Sequence, residues 1–375
     1  AKMSFGGDGE PIPTVEGGVT AGGGIEMGGD EADKETPRAD AGLISDLEAN
    51  DIHPLWDRYK KITPIFPAPS DPPFIWRWKD LEPFTGRAAT EIAMEDAERR
   101  ALIMAHPAFG GKTQTTHNLL SAFTVLEPGD KALPHRHTAA AIRFSTRAEG
   151  AVTIVNGRRC EMKPGDLVLT PPWCWHGHIN ESDSNTVWFD AANIPLINDL
   201  DVNFFDPGNR DGGGDNAFWE VDEGDEALWK SAGLVAEGHG HEGQISPKYR
   251  YTGEETRRML NEMRAREDSA KLLRYVNPLT GGSIMPTLDC YAMRLANGAP
   301  TRARRATWNT ICMVVAGEGK SVIGDQTIDW AEHDTFTVPH WTWASHEAVS
   351  GDADLFIVTD REIQVRLDLD REEVE

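Results

Sequence analysis

Gly129-Asp130-Lys131-Ala132-Leu133-Pro134-His135-Arg136-His137, which runs on toward Gly150, and Gly165-Asp166-Leu167-Val168-Leu169-Thr170-Pro171-Pro172-Trp173-Cys174-Trp175-His176-Gly177-His178-Ile179-Asn180 decide the fold. On a strand, residues i and i+2 face the same side, so His135 and His137 point together into whatever the strand covers. His176 lies one strand-turn-strand later, where a third imidazole can join them. Three imidazoles suit Fe, Zn, Ni or Cu, so the ligand type leaves the metal open.

The surroundings of these stretches read as short strands from Leu119 to about Leu196. Ala151-Val152-Thr153-Ile154-Val155 runs into Asn156-Gly157, a hairpin signal, and Asp166–Thr170 is stopped by Pro171-Pro172. The same texture returns from Leu288 to about Val365. Pro171-Pro172-Trp173-Cys174-Trp175 aligns with Pro339-His340-Trp341-Thr342-Trp343 at an offset of 168 (339 − 171), which marks an internal repeat. In the second copy the ligand positions hold no imidazole. An offset of 168 sets Ala303 and Arg305 opposite His135 and His137, and an offset of 169 sets Arg304 and Ala306 there; His176 maps to Ala344. His340 and His346 stand nearby at the wrong spacing and read as structural. His239-Gly240-His241 lacks a third ligand at strand spacing and reads as a loop.

The fold expected is mainly β, two antiparallel β-barrels with helices before and between them. Residues 1–40 are Gly- and acid-rich and read as a mobile tail or a subunit arm. A helical region follows (41–112), with helices expected over 42–62 and over 90–105, the latter capped by Thr90. The first barrel spans 113–200, a linker and helix 201–280, and the second barrel 281–375. Thr252 and Glu255 form a capping box for a helix reaching about 274.

Composition narrows the function. The formal charge of −24 repels phosphate backbones and anionic bilayers, so neither nucleic acid nor a membrane is an expected partner. Four cysteines without a C-x-x-C pair read as reduced thiols, and no apolar run is long enough to span a bilayer; a soluble cytoplasmic protein is expected.

The two opening stretches resemble the paired motifs of the cupin superfamily, and roughly residues 42–370 resemble the gentisate 1,2-dioxygenase family, which takes in salicylate and 1-hydroxy-2-naphthoate dioxygenases. Supporting stretches are His135–Thr138, Arg143-Phe144, Pro171–His178, and Trp188-Phe189-Asp190 followed by Ile194-Pro195-Leu196. Two departures from the cupin pattern stand out. Trp173 replaces an inner glycine, and Ala141 and Ile142 occupy the place of the usual glutamate ligand. Without that carboxylate a divalent ion keeps its full charge, and a facial triad leaves positions for a chelating dianion and O2.

The resemblance implies a bicupin holding one Fe(II) per chain on His135, His137 and His176, a homotetramer, and cleavage of the ring bond between the carboxyl- and hydroxyl-bearing carbons of a small aromatic hydroxy acid. By the same resemblance Arg143 contacts the substrate carboxylate, Arg99 supplies a second guanidinium from a helix before the barrel, His178 bonds substrate or oxygen, and Asp190 orients a ligand or the His178 ring. The substrate expected is gentisate, salicylate or a 5-substituted salicylate, with 1-hydroxy-2-naphthoate as the alternative. Leu120 and Thr124 stand where gentisate cleavers commonly carry Trp and Gln, which favours a pocket roomier and less polar than one shaped for gentisate's second hydroxyl, and so substituted salicylates or a bicyclic hydroxynaphthoate. An Mn-dependent bicupin decarboxylase is disfavoured by the missing glutamate, and a cupin binding protein by the intact triad.

Overall fold

The computed structural model describes residues 40–207, 245–265 and 270–375. The expected tail therefore lies outside the described residues except for Asp40, and so does His239-Gly240-His241. The chain divides into a unit ending at Pro64 and a unit spanning Ile65–Glu375. The first contains α1 (Ala41–Glu48) and α2 (Leu55–Ile62). The helical stretch expected over 42–62 is broken at His53-Pro54, because the residue before a proline is pushed out of the helical region. Within this unit Trp56 Nε1 donates to Asp40 Oδ2 (3.0 Å), and Arg58 pairs with Glu48 (3.2 Å).

The second unit is mainly β. Its strands are β1 (Ile75–Trp76), β2 (Arg100–Ile103), β3 (Leu120–Leu126), β4 (Lys131–His137), β5 (Ala141–Arg147), β6 (Ala151–Val155), β7 (Arg158–Met162), β8 (Leu167–Thr170), β9 (His176–Asn180), β10 (Thr186–Ala192), β11 (Phe205–Asp206) and β12 (Arg250–Tyr251). The chain continues with β13 (Ala270–Arg274), β14 (Asp289–Leu295), β15 (Arg304–Ala306), β16 (Thr310–Ala316), β17 (Gly319–Ile323), β18 (Gln326–Trp330), β19 (Thr335–Val338), β20 (Ala344–Ala348), β21 (Ala353–Thr359) and β22 (Glu372–Val374). The first half forms sheets β12-β8-β5-β10-β3-β2 and β11-β4-β9-β6-β7. The second forms β1-β19-β16-β21-β14-β13 and β18-β17-β20-β15-β22. The pairings between these strands are antiparallel, the arrangement of a bicupin.

The repeat holds strand by strand. β6, β7, β8 and β9 recur as β17, β18, β19 and β20 at an offset of 168, for example 344 − 176. The two halves also exchange helices. Helix α3 (Trp78–Glu91) precedes the first barrel, yet its Trp78 N–H donates to Asp334 Oδ1 (2.7 Å) in the second. After α4 (Met94–Ala97) and α5 (Ile194–Asp199), α6 (Gly253–Glu262) precedes the second barrel, and its Gly253 N–H donates to Asp166 Oδ1 (2.8 Å) in the first. Asp334 and Asp166 are themselves 168 apart. Each thus places a carboxylate at a helix N-terminus, where unpaired N–H groups and the helix dipole favour negative charge. Gly253 packs so closely that a Cβ there would lie 2.7 Å from the Gly165 backbone. One continuous core joins the halves, with Phe144 stacked on Phe356 at 4.0 Å.

Two helix expectations need correction. Over 90–105, α3 ends at Glu91, α4 is a single turn and residues 100–103 form β2, in register with β3. Thr90 lies in the last turn of α3, donating to the Gly86 carbonyl, and caps nothing. Strand pairing along Val125–Ala122 overrides the helical pattern. At Thr252 the cap forms, with Glu255 N–H donating to its hydroxyl (3.3 Å), but α6 stops at Glu262 and Ala270–Arg274 pairs with β14 instead of extending the helix. The four cysteines are free and buried.

Candidate metal centre

His135 and His137 sit on β4, and His176 opens β9; His135 and His176 are direct cross-strand partners. A register shift between Ala132 and His135, at Pro134, aims His135 inward. The ligand atoms of the three rings lie within 4.8 Å of one another, and no carboxylate joins them in that group. The buried Ala141 and Ile142 leave the glutamate position apolar.

The rings are held alike. Nδ1 of His135 donates to the Leu133 carbonyl (2.9 Å), Nδ1 of His137 to the Ala139 carbonyl (2.8 Å) and Nδ1 of His176 to the Cys174 carbonyl (2.9 Å). A carbonyl only accepts, so Nδ1 carries the proton and each Nε2 presents a lone pair. Burial lowers the pKa of His135 to about 2 and of His137 to about 4, and holds His176 well below its ordinary value; the Arg99 and Arg143 charges add to this. Neutral imidazole is the ligating form. Nε2 of His176 is buried without a hydrogen-bond partner. Three converging neutral donors, one of them orphaned, fit a divalent metal.

The remaining predicted residues gather around the triad. Arg143, on β5, is buried; it donates to Thr170 Oγ1, and its Nε lies 3.6 Å from Asp190 Oδ1. Its inward direction comes from pairing of β5 with β10, since β4 ends at His137 and the even spacing from that residue does not carry through the turn. Asp190 accepts from Thr124 Oγ1 and from Trp188 Nε1 (3.0 Å). Its carboxylate faces Arg143 and Thr124, and none of its hydrogen bonds reaches His178. Burial raises the Asp190 pKa, against the pull of Arg143. His178 is buried, with Nδ1 bonded to Thr153 Oγ1 (2.9 Å) and Nε2 without a partner.

Arg99 does not lie on a helix. It sits between α4 and β2, after Glu98 at φ +50, and its Nη2 contacts the His135 ring at both Nδ1 (2.7 Å) and Nε2. The guanidinium thus crowds the face of His135 where a metal would sit, so metal binding requires it to turn aside.

Four neighbours were not singled out from sequence. Thr170 and Thr153 anchor Arg143 and His178, and both are small polar residues inside apolar strands, a readable signal. Phe205 stacks on His135 at 5.3 Å and 18°, and Asp206 pairs with Arg136 (3.0 Å). Both come from a two-residue strand within a stretch that reads as loop. Trp173, where the cupin pattern has glycine, adopts φ +65, and Trp341 repeats this at φ +53.

In the second half the strand pairing decides the register. Arg304 is the partner of Ala344 as His135 is of His176, so Arg304 and Ala306 stand at the His135 and His137 positions. Among the described residues, the single group of His, Cys, Asp or Glu placed to hold a metal is the triad of the first half.

Residues 122–192 match the family described as Cupin domain. The chain is 34% identical over 336 residues to gentisate 1,2-dioxygenase 1 of Aquipseudomonas alcaligenes, covering 88% of this chain and 95% of that one. It is 33% identical to 5-aminosalicylate 1,2-dioxygenase of Comamonas, covering 88% and 89%. The crystal structure of salicylate 1,2-dioxygenase from Pseudoaminobacter salicylatoxidans with gentisate superposes with a TM-score of 0.83 at 32% identity, covering 92% of this chain and 96% of that one. Sequence, fold and the geometry of the triad agree: the chain belongs to the gentisate 1,2-dioxygenase family of bicupin ring-cleaving dioxygenases, which includes the salicylate and 1-hydroxy-2-naphthoate enzymes.

Proposed function

We propose that this chain holds one Fe(II) on His135, His137 and His176 and cleaves the C1–C2 bond between the carboxyl- and hydroxyl-bearing carbons of gentisate, salicylate or a 5-substituted salicylate. Both atoms of O2 enter the product. The observation that carries this reading is the set of three buried, neutral imidazoles with two guanidiniums beside them and no carboxylate in the ligand group. Fe(II), when bound, supplies the one-electron exchange with O2 that Zn lacks.

The chain's own residues do the rest. Arg143 offers the substrate carboxylate a planar, charge-assisted pair of N–H donors, and Asp190 and Thr170 fix its plane. Arg99, once turned from His135, supplies a second positive charge. Nε2 of His178 faces the reacting atoms while Thr153 holds its ring. Packed strands around Phe123, Ile142 and Phe189 keep water from the rear of the site.

Thr124 spends its hydroxyl on Asp190, so it offers a second ring hydroxyl little. This supports salicylates bearing other substituents, with 1-hydroxy-2-naphthoate as the second reading; a relative from Nocardioides bears that activity in its name. The working form is a homotetramer. An oxygen electrode with iron-loaded protein and a panel of gentisate, salicylate, 5-substituted salicylates and 1-hydroxy-2-naphthoate tests the reading. Oxygen uptake with one of them, one iron per chain, and loss of both in His135→Ala are expected. No uptake with any of them sinks it. Light scattering checks the tetramer.

A further inference from the structure

The second half carries a solvent-open cavity of about 300 Å3, lined among others by Arg304, Ala306, Trp308, Ala344, His346 and Arg361. Three of these stand at the positions of the metal ligands: Arg304 for His135, Ala306 for His137 and Ala344 for His176. No set of ligands is left there to chelate a metal.

One polar pair is nevertheless kept. In the first half His178 Nδ1 is bonded to Thr153; 168 residues later, His346 Nδ1 is bonded to Ser321 Oγ (2.7 Å). Trp330 Nε1 donates to the same Ser321 oxygen (2.9 Å), and the hydroxyl hydrogen is available for His346 Nδ1. In that tautomer the ring proton sits on Nε2, a donor without a partner among the described residues on a ring that lines the cavity. Burial keeps this ring neutral, with a pKa near 4.

Arginines enter at the same place, each with an acidic neighbour: Arg304 pairs through Nη1 with Glu372, which also lines the cavity (3.0 Å), and Arg361 Nη2 lies 3.8 Å from Asp370, so an incoming carboxylate competes with these acids for the guanidiniums. The Arg361 guanidinium lies over Trp308 at 5.1 Å, its Nη1 donates to the Tyr291 hydroxyl (3.4 Å) and its Nε is buried without a partner. Leu272, Met293 and Ile357 supply apolar wall. A cavity of roughly 150 Å3 already holds a benzene ring, so this one has room for a ring and a carboxylate.

We propose that the second-barrel cavity binds a small aromatic carboxylate without turning it over, its carboxylate held by Arg304, Arg361 and the His346 Nε2–H. An ortho-hydroxyl is not required, because there is no metal for it to chelate. The site is distinct from the metal centre, and its existence does not depend on which ring the first barrel cleaves.

Equilibrium dialysis of the iron-loaded enzyme against radiolabelled benzoate, without oxygen, tests this. Ala344→Met fills the cavity and His346→Phe removes the donor; each should bind one benzoate per chain fewer than the wild type, with iron content and ring cleavage unchanged. Arg304→Met should weaken the same equivalent about tenfold, the size of one charge-assisted hydrogen bond. Arg143→Met should leave it in place. Thermal midpoints and iron content report whether each variant is folded. The same benzoate stoichiometry in wild type, Ala344→Met and His346→Phe overturns the proposal. Absence of ring cleavage or iron counts against the function proposed for the first barrel alone.

Discussion

Arg143 and Asp190 face each other across the β5–β10 ladder as direct cross-strand partners, Arg143 buried and Asp190 mostly so, with Nε and Oδ1 3.6 Å apart. Each carries the other's charge inside the barrel. Removing one leaves the other uncompensated, at a cost of about 3 kcal/mol or more. Arg143→Met should therefore destabilise the fold by that order and raise KM for carboxylate substrates at least about tenfold, since a charge-assisted bond is lost. Iron content should hold. Asp190→Asn keeps an acceptor for Thr124 and should raise KM less. Denaturant unfolding with steady-state oxygen uptake measures both, and wild-type KM in Arg143→Met would show the carboxylate binds elsewhere.

Arg99 competes with a metal for His135 Nε2. Arg99→Met should leave metal affinity equal to or above that of the wild type while raising KM. A metal titration followed by substrate kinetics separates these effects. Weaker metal binding in the variant would mean that the guanidinium supports the triad rather than competing with it.

Proton competition at the triad should set in late. His137 has a pKa of about 4 and His135 one of about 2, so the neutral, ligating forms persist well below the ordinary value of 6.5. The sign follows directly: ligation is available above the folded-state pKa and fails as pH falls through it. Metal retention measured from pH 7 down should stay near one per chain at pH 5.5 and collapse toward pH 4. A midpoint near 6.5 would mean the rings are not held as described.

Trp173 occupies a left-handed backbone conformation that costs a non-glycine residue about 1–2 kcal/mol. Its ring is half exposed, meeting Phe204 at 5.7 Å. Trp173→Gly relieves the strain but adds freedom to the unfolded chain, worth roughly 0.5–1 kcal/mol in the other direction. The variant should be as stable as the wild type or more stable by up to about 1.5 kcal/mol, by chemical unfolding. A loss beyond 1 kcal/mol would assign the exposed indole a packing role.

How legible this molecule was depended on how local each cause is. The triad could be read because strand alternation puts His135 and His137 on one side within three residues, and the repeat because Trp173 and Trp341 share a turn. The Thr252 cap was legible for the same reason. The ends of elements were not: residues 100–103 carry a helical pattern yet complete a sheet edge against β3, which misplaced Arg99. Phe205 reaches His135 only through a two-residue strand whose pairing with β4 no local pattern announces. The partner of Asp190 was likewise invisible, because it follows from cross-strand register, not from spacing.

The carbonyls that grip Nδ1 of His135, His137 and His176 all belong to residues two positions away in the chain. The ring directions are thus fixed by the local backbone, by β4 at Leu133 and by the adjoining turns at Ala139 and Cys174, before any ion arrives. A face of three preset imidazoles discriminates weakly among divalent ions of similar size, and by intrinsic affinity it prefers copper or nickel to iron. The metal recovered with the protein should then follow which ions are supplied to it. Protein produced in zinc- or cobalt-rich medium should emerge with an unchanged fold and the wrong chemistry.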